Sequence, residues 1–286
     1  MHELLNNGVT ALPVLILAGS LLVWLGLLRR PGGIRPAVEY EPRALVPWSG
    51  LDLIVLGIGV LLLQAISVVV VADGEDRSTP ALSTSVMTAV VGSRVLWFVL
   101  ALVYLTQKAR AFADEMGFDL RRWKYDLRLA GLTFLAAALP VYGTNLFLSV
   151  VLDFKSEHPL VKLVSEQPSL YAMVMATVAA VLVAPLVEEF LVRVLLQGWL
   201  ETKQIESRLR SGAMDDRAGW MPIIVASTIF ALLHGFPDMV PLFILSLFLG
   251  YAYQRPHRII APLIVHACVN AMAVVELWRL YVYGPQ

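Results

Sequence analysis

The sequence holds one cysteine, Cys268, and little charge: Asp, Glu, Lys and Arg make up only 15% of its 286 residues. A single thiol excludes an intrachain disulfide framework, and its place in an apolar run reads as a small packed hydrophobe. Net charge is zero, so there is neither the basic field of a nucleic-acid binder nor an acidic solvating tail. No low-complexity segment or convincing repeat is found. There is no HExxH helix motif, and no serine or cysteine is conspicuously placed as a nucleophile.

What fills the chain instead is apolar. Hydrophobic residues reach 58% and mean hydropathy is +0.72, more than one soluble core of this length can hide. The expected fold is all-α, a polytopic transmembrane bundle of about eight spans, because only helices with satisfied backbones and closed barrels cross a bilayer. Apolar stretches fall near 10–28, 51–72, 86–105, 129–152, 170–198, 219–235, 239–254 and 259–277. The first is too long for a signal-peptide core, and its basic pair, Arg29-Arg30, follows it; it reads as an uncleaved span. The sixth and seventh are joined only by His234-Gly235-Phe236-Pro237-Asp238, a tight helical hairpin.

Loop charge supplies an orientation. Arg29, Arg30, Arg35 and Arg43 follow the first span, and Lys108, Arg110, Arg121, Arg122, Lys124 and Arg128 follow the third. Lys203, Arg208, Arg210 and Arg217 follow the fifth, and Arg255 and Arg258 the seventh. The intervening loops, 73–77, 153–166 and 237–238, are poorer in basic residues. Eight spans with both termini outside put every basic loop in the cytoplasm, at a cell membrane. Trp48, Trp123, Trp199 and Trp220 fall near the same boundaries, where interfacial anchoring and ordinary packing are both open.

Ionisable side chains inside spans are costly, so the exceptions carry information. Glu188 and Glu189 end an apolar run. Glu189 and Arg193 are four apart and share a helical face, while Glu188 is rotated about 100° away. Adjacent carboxylates in unlike surroundings are a common way to obtain one working base and one structural acid. Phe230 and His234 share a face of the sixth span, as His266 and Asn270 do on the last. Each element alone is open to a structural reading: an ion-pair network, a helix-end histidine, interhelical hydrogen bonds. Together they supply the parts for acyl transfer to water, with Glu188 as general base, one histidine sharing the proton, and the other histidine with Asn270 donating to an oxyanion. Arg94, inside the third span, reads first as a snorkelling side chain, with a carboxylate or a substrate terminus as alternative partners. Pro140 and Pro185 are expected to kink their helices.

EEFLVR from Glu188, FALLH from Phe230 and HACVN from His266 resemble, in order and spacing, the CPBP intramembrane endopeptidases that include the type II CAAX prenyl proteases. The resemblance covers about 170–275. It implies a glutamate-dependent peptidase in which Glu188 and His234 activate water, His266 and Asn270 form the oxyanion site, and Glu189 and Arg193, with Phe230, support them. It also divides the chain into an N-terminal transmembrane region, 1–168, and a catalytic segment, 169–278. No cofactor is expected; zinc on Glu188, His234 and His266 is the alternative. The implied partners are a peptide or membrane-protein substrate and the lipid bilayer, with no nucleic acid and no oligomeric state specified. Rival readings are a catalytically inactive scaffold or immunity-type protein, and a transporter.

Overall fold

The computed structural model describes residues 2–30, 38–42, 45–72, 83–153, 169–212 and 217–283, with side chains from 11 to 282. Arg35, Arg43, the loop 73–77 and the stretch 154–166, all of which bear on orientation, lie outside the described residues. Among the described residues all regular structure is helical. The helices are α1 (His2–Leu28), α2 (Gly50–Ala72), α3 (Thr84–Lys108), α4 (Trp123–Val151), α5 (Leu170–Arg210), α6 (Met221–Leu232), α7 (Met239–Gln254) and α8 (Ile260–Tyr283).

Six of them, α1 to α5 and α8, are long and apolar enough to cross a membrane. The chain is thus an integral, multi-pass membrane protein. Three elements differ from the sequence expectation, one of them α7, whose 16 residues, roughly 24 Å by their rise, fall short of a span. Helix α5 runs on to Arg210, well past the expected end near 198, because GWLETKQIESRLR keeps good helix formers after the apolar run stops. Helix α6 has only 12 residues, roughly 18 Å by its rise, and falls short of the ~30 Å hydrocarbon layer. His234 accordingly sits beyond the helix, in a terminal turn closed by Gly235 at φ +72°.

The chain forms two compact units. The first comprises Met1–Val46, Ala113–Ser156 and Val192–Val265; the second comprises Pro47–Phe112, Glu157–Leu191 and His266–Gln286. In the first, α1 packs on α4, and α7 packs on both α4 and α6. Ser20 accepts the Leu139 amide at 3.0 Å, and the Trp24 indole donates to the Ala136 carbonyl at 3.0 Å, so α1 is tied to the turn around Pro140. Arg258 is buried against Asp126 at 2.9 Å and also reaches Glu41 at 3.2 Å. In the second unit α2 packs on α3, where the Trp97 indole donates to the Leu56 carbonyl at 3.0 Å. Met87, Met173, Ala176 and Leu277 form a small apolar core that joins α3, the start of α5 and the end of α8. Of the boundary tryptophans, Trp48 is buried as a packing residue, whereas Trp123 and Trp220 are exposed as anchors would be.

Candidate active site

Helix α5 is not a uniform α-helix. After the Ser169 cap it is π-helical over Val178–Val183, α-helical over Ala184–Glu189, and π-helical again over Phe190–Gln197. The wider i→i+5 turns of such stretches re-aim side chains and occur often at functional sites. Glu188 and Glu189 end the α-helical turn between them. Glu189 is fully buried, while the Glu188 side chain keeps 24% of its surface exposed.

Helix α8 brings His266 to both carboxylates. Its Nδ1 lies 2.9 Å from Glu189 Oε1, a hydrogen bond, and its Nε2 lies 3.8 Å from Glu188 Oε2. An ionised carboxylate only accepts, so with Glu189 ionised the Nδ1 carries the proton and Nε2 is the atom turned toward Glu188. The order Glu189, His266, Glu188 thus has the form of an oriented imidazole: one buried carboxylate fixes the ring, and the other stands at its working nitrogen.

Asn270, one turn on, donates from Nδ2 to the Ala180 carbonyl at 2.8 Å, inside the first π-helical stretch. The Trp278 indole donates to Thr177 Oγ1 at 3.0 Å just before it. The last helix therefore grips the irregular part of α5 at two points upstream of the glutamates. One amide proton of Asn270 is thus committed to backbone, an interhelical hydrogen bond of the kind the sequence left open. Phe190, next to Glu189, meets Trp97 and Phe98 edge-on, with ring centroids 6.3 and 5.1 Å away.

The snorkelling reading of Arg94 is overturned. Its Nε donates to Gln64 Oε1 at 3.1 Å and its Nη1 lies 3.9 Å from Glu188 Oε1, because both residues face inward between α2, α3 and α5. The signal in the sequence was a cation far from either end of an apolar helix. Cys268, expected to pack, is exposed on α8.

The remaining motif residues lie in the first unit. Arg193 is fully buried and donates to Gln197 at 3.3 Å and to Ser246 of α7. Gln197 in turn donates to Glu201 and to the Gly250 carbonyl, each at 2.9 Å. Residues 193, 197 and 201 thus form a buried polar ladder, legible in retrospect as a spacing of four carried past the motif arginine. Gly250 permits it: a Cβ there would meet Ile223 Cγ2 at 2.8 Å and Gln197 Oε1 at 3.0 Å. Phe230 lies under the Arg193 guanidinium at 5.8 Å. As the spacing predicts, Phe230 and His234 are neighbours, with ring centroids 4.6 Å apart and His234 Nδ1 2.7 Å from the Phe230 carbonyl.

The zinc alternative requires three protein donors on one ion. Among the described residues no three His, Cys, Asp or Glu side chains are grouped in that way, and the Nδ1 bond to Glu189 leaves His266 Nε2 open to either role. Residues 170–272 match the family described as Rce1-like, type II CAAX prenyl endopeptidase Rce1-like. This segment is CAAX-protease-like. No curated protein and no solved structure matches the chain. The CAAX-protease-like segment contains every residue of the three motifs: Glu188, Glu189, Arg193, Phe230, His234, His266 and Asn270. Arg94 and Gln64 lie outside it.

Proposed function

We propose that the chain is an intramembrane endopeptidase of glutamate type, with residues 169–278 as its catalytic segment. The observation that carries this reading is the placement of His266 between a buried Glu189 and a partly accessible Glu188. Glu188 takes a proton from water while the water oxygen adds to the peptide carbonyl carbon, and the carbonyl becomes an oxyanion. His266, held by Glu189, offers its Nε2 proton to that oxyanion when the ring carries both protons. The C–N bond then breaks, and the proton on Glu188 passes to the leaving amine. Products are a carboxylic acid and an amine, which exchange a proton to become a carboxylate and an ammonium, and Glu188 is left ionised as it began, so atoms and charges balance. Asn270 holds the π-helical backbone and adds its remaining amide proton to the oxyanion site. The part of His234, sharing the proton of the attacking water, rests on motif order.

The substrate class is a peptide or a membrane-protein segment that reaches the site from the lipid side. Prenylated peptides are one such class. The basic loops favour a site opening toward the cytoplasm, at a cell membrane.

The test is cleavage of a broad peptide library by the detergent-purified protein beside Glu188→Gln, each with and without a zinc chelator. Cleavage that disappears in the variant and persists with chelator is the expected result, with a loss of roughly a thousandfold or more. Cleavage retained by Glu188→Gln rejects the mechanism. Activity lost to chelator and restored by zinc would move it to a metallopeptidase. A folded variant and wild type that are equally inert, yet bind a common partner, would favour a scaffold.

A further inference from the structure

A guanidinium in the middle of an apolar helix is tolerated when it faces a cavity or a partner. Arg94 of α3 has two partners on two other helices. Gln64 of α2 accepts from Nε at 3.1 Å and so aims the planar end of the side chain, and Nη1 then stands 3.9 Å from Glu188 Oε1. The opposite oxygen, Glu188 Oε2, stands 3.8 Å from His266 Nε2. The carboxylate is thus bracketed, one oxygen toward α3 and the other toward α8. All four helical pieces involved belong to one compact unit.

Both separations exceed hydrogen-bond reach. A guanidinium at contact distance would form a forked, two-bond pair and turn the carboxylate into a static structural anion. At 3.9 Å the charge still acts on Glu188, since Coulomb energy falls only as the inverse of distance, but the fork is not closed. Both side chains also retain solvent access, 28% for Arg94 and 24% for Glu188, so the pair lines a surface that a reactant can reach.

From this geometry we infer that Arg94 is a positioning residue for Glu188, with Gln64 as its aiming partner. Arg94 compensates the carboxylate's charge inside the bundle and fixes the plane of its two oxygens, so that Oε2 presents to His266. The inference rests on the endopeptidase reading and adds two residues outside the segment 170–272. It also gives α2 and α3 a part at the site, since the arginine that faces the other oxygen of the base and its aiming glutamine lie on them.

The experiment compares Arg94→Met, Arg94→Lys, Gln64→Leu and Glu188→Gln in the full chain, using a peptide that the wild type cleaves. Methionine keeps the apolar stem and removes the charge. Arg94→Met is expected to lower kcat by about a hundredfold while KM changes less than about threefold. Arg94→Lys should recover at least about a tenth of the lost rate, and Gln64→Leu should fall between the two. Thermal unfolding of Arg94→Met, Glu188→Gln and the double variant supplies a readout that needs no substrate. The double variant should lose less stability than the sum of the singles, since both singles remove the same charge–charge interaction.

Wild-type kcat in Arg94→Met sinks the inference. So does a rise in KM at unchanged kcat, which would make Arg94 a substrate-docking residue. Strictly additive unfolding sinks it as well, whether or not a cleavable peptide has been found. A cleaving Glu188→Gln would instead remove the endopeptidase reading itself. A dead Glu188→Gln beside a fully active Arg94→Met would leave that reading standing and reject only the role of Arg94.

Discussion

Helices α1 and α2 and helices α5 and α8 are all apolar enough to span a bilayer. Yet only 6% of the membrane-length stretch is buried in each of the first two, against 33% in each of the second two. On α2 the large residues Leu51, Ile54, Ile58 and Leu61 are all exposed, as side chains that meet lipid should be. On α5 and α8 the fully buried positions include Glu189 and Arg193, and His266 is nearly so. Hydropathy therefore identifies the solvent of a helix and says little about its role. What separates a lipid-facing helix from a chemical one is where its few polar side chains are placed, and whether another helix meets them.

The sharpest way to break that comparison is to set His266→Ala on α8 beside Leu61→Ala on α2. The first should lower kcat by about a hundredfold to ten-thousandfold, and the second should leave cleavage unchanged and alter stability by less than about 0.5 kcal/mol. Equal damage from both would mean that α2's exposed face is not lipid-facing. A smaller effect is expected from the buried ion pair of the first unit. Arg258→Met leaves Asp126 buried without its 2.9 Å partner and should cost about 3–5 kcal/mol by thermal unfolding in detergent. Recovery of stability in the Arg258→Met, Asp126→Leu pair would identify the loss as an uncompensated charge. Smallest of the three, Gly250→Ala forces a methyl group to within 2.8 Å of Ile223 and should cost about 1–3 kcal/mol. Because that methyl also crowds Gln197, the variant sharpens the comparison by testing whether the polar ladder needs its close backbone neighbour.

Much of the site was legible because helical spacing is a local property. Glu188 and Glu189 as unlike carboxylates, Phe230 beside His234, and His266 with Asn270 on one helix all follow from counting along the chain. Spacing does not reveal which helices meet. It therefore left the partners of the interhelical bonds open: His266 bonds to Glu189, and Asn270 bonds to backbone at Ala180. It also misread Arg94, since an arginine can explain itself by snorkelling until its neighbours are known. The shared face of Glu189 and Arg193 was drawn on α-helical geometry, whereas the backbone over Phe190–Gln197 is π-helical, a feature that spacing along the chain does not reveal. Nothing in the apolar run VAAVLV marks it as π-helical. The fold itself was clear in kind and less so in length: α5 overran its hydrophobic stretch and α6 did not fill its own, because hydropathy tracks lipid contact while helix ends follow caps and turns.

The ladder of Arg193, Gln197 and Glu201 has a consequence for biogenesis. These side chains emerge from the ribosome with α5, but the Ser246 hydroxyl and Gly250 carbonyl that receive them belong to α7, made later. Until then the newly inserted helix carries buried-type polar groups with two of their acceptors not yet synthesised, a state that lipid cannot solvate. Helix α5 is therefore a late settler despite its early place in the chain, and truncation before Met239 should leave it a substrate for membrane quality control.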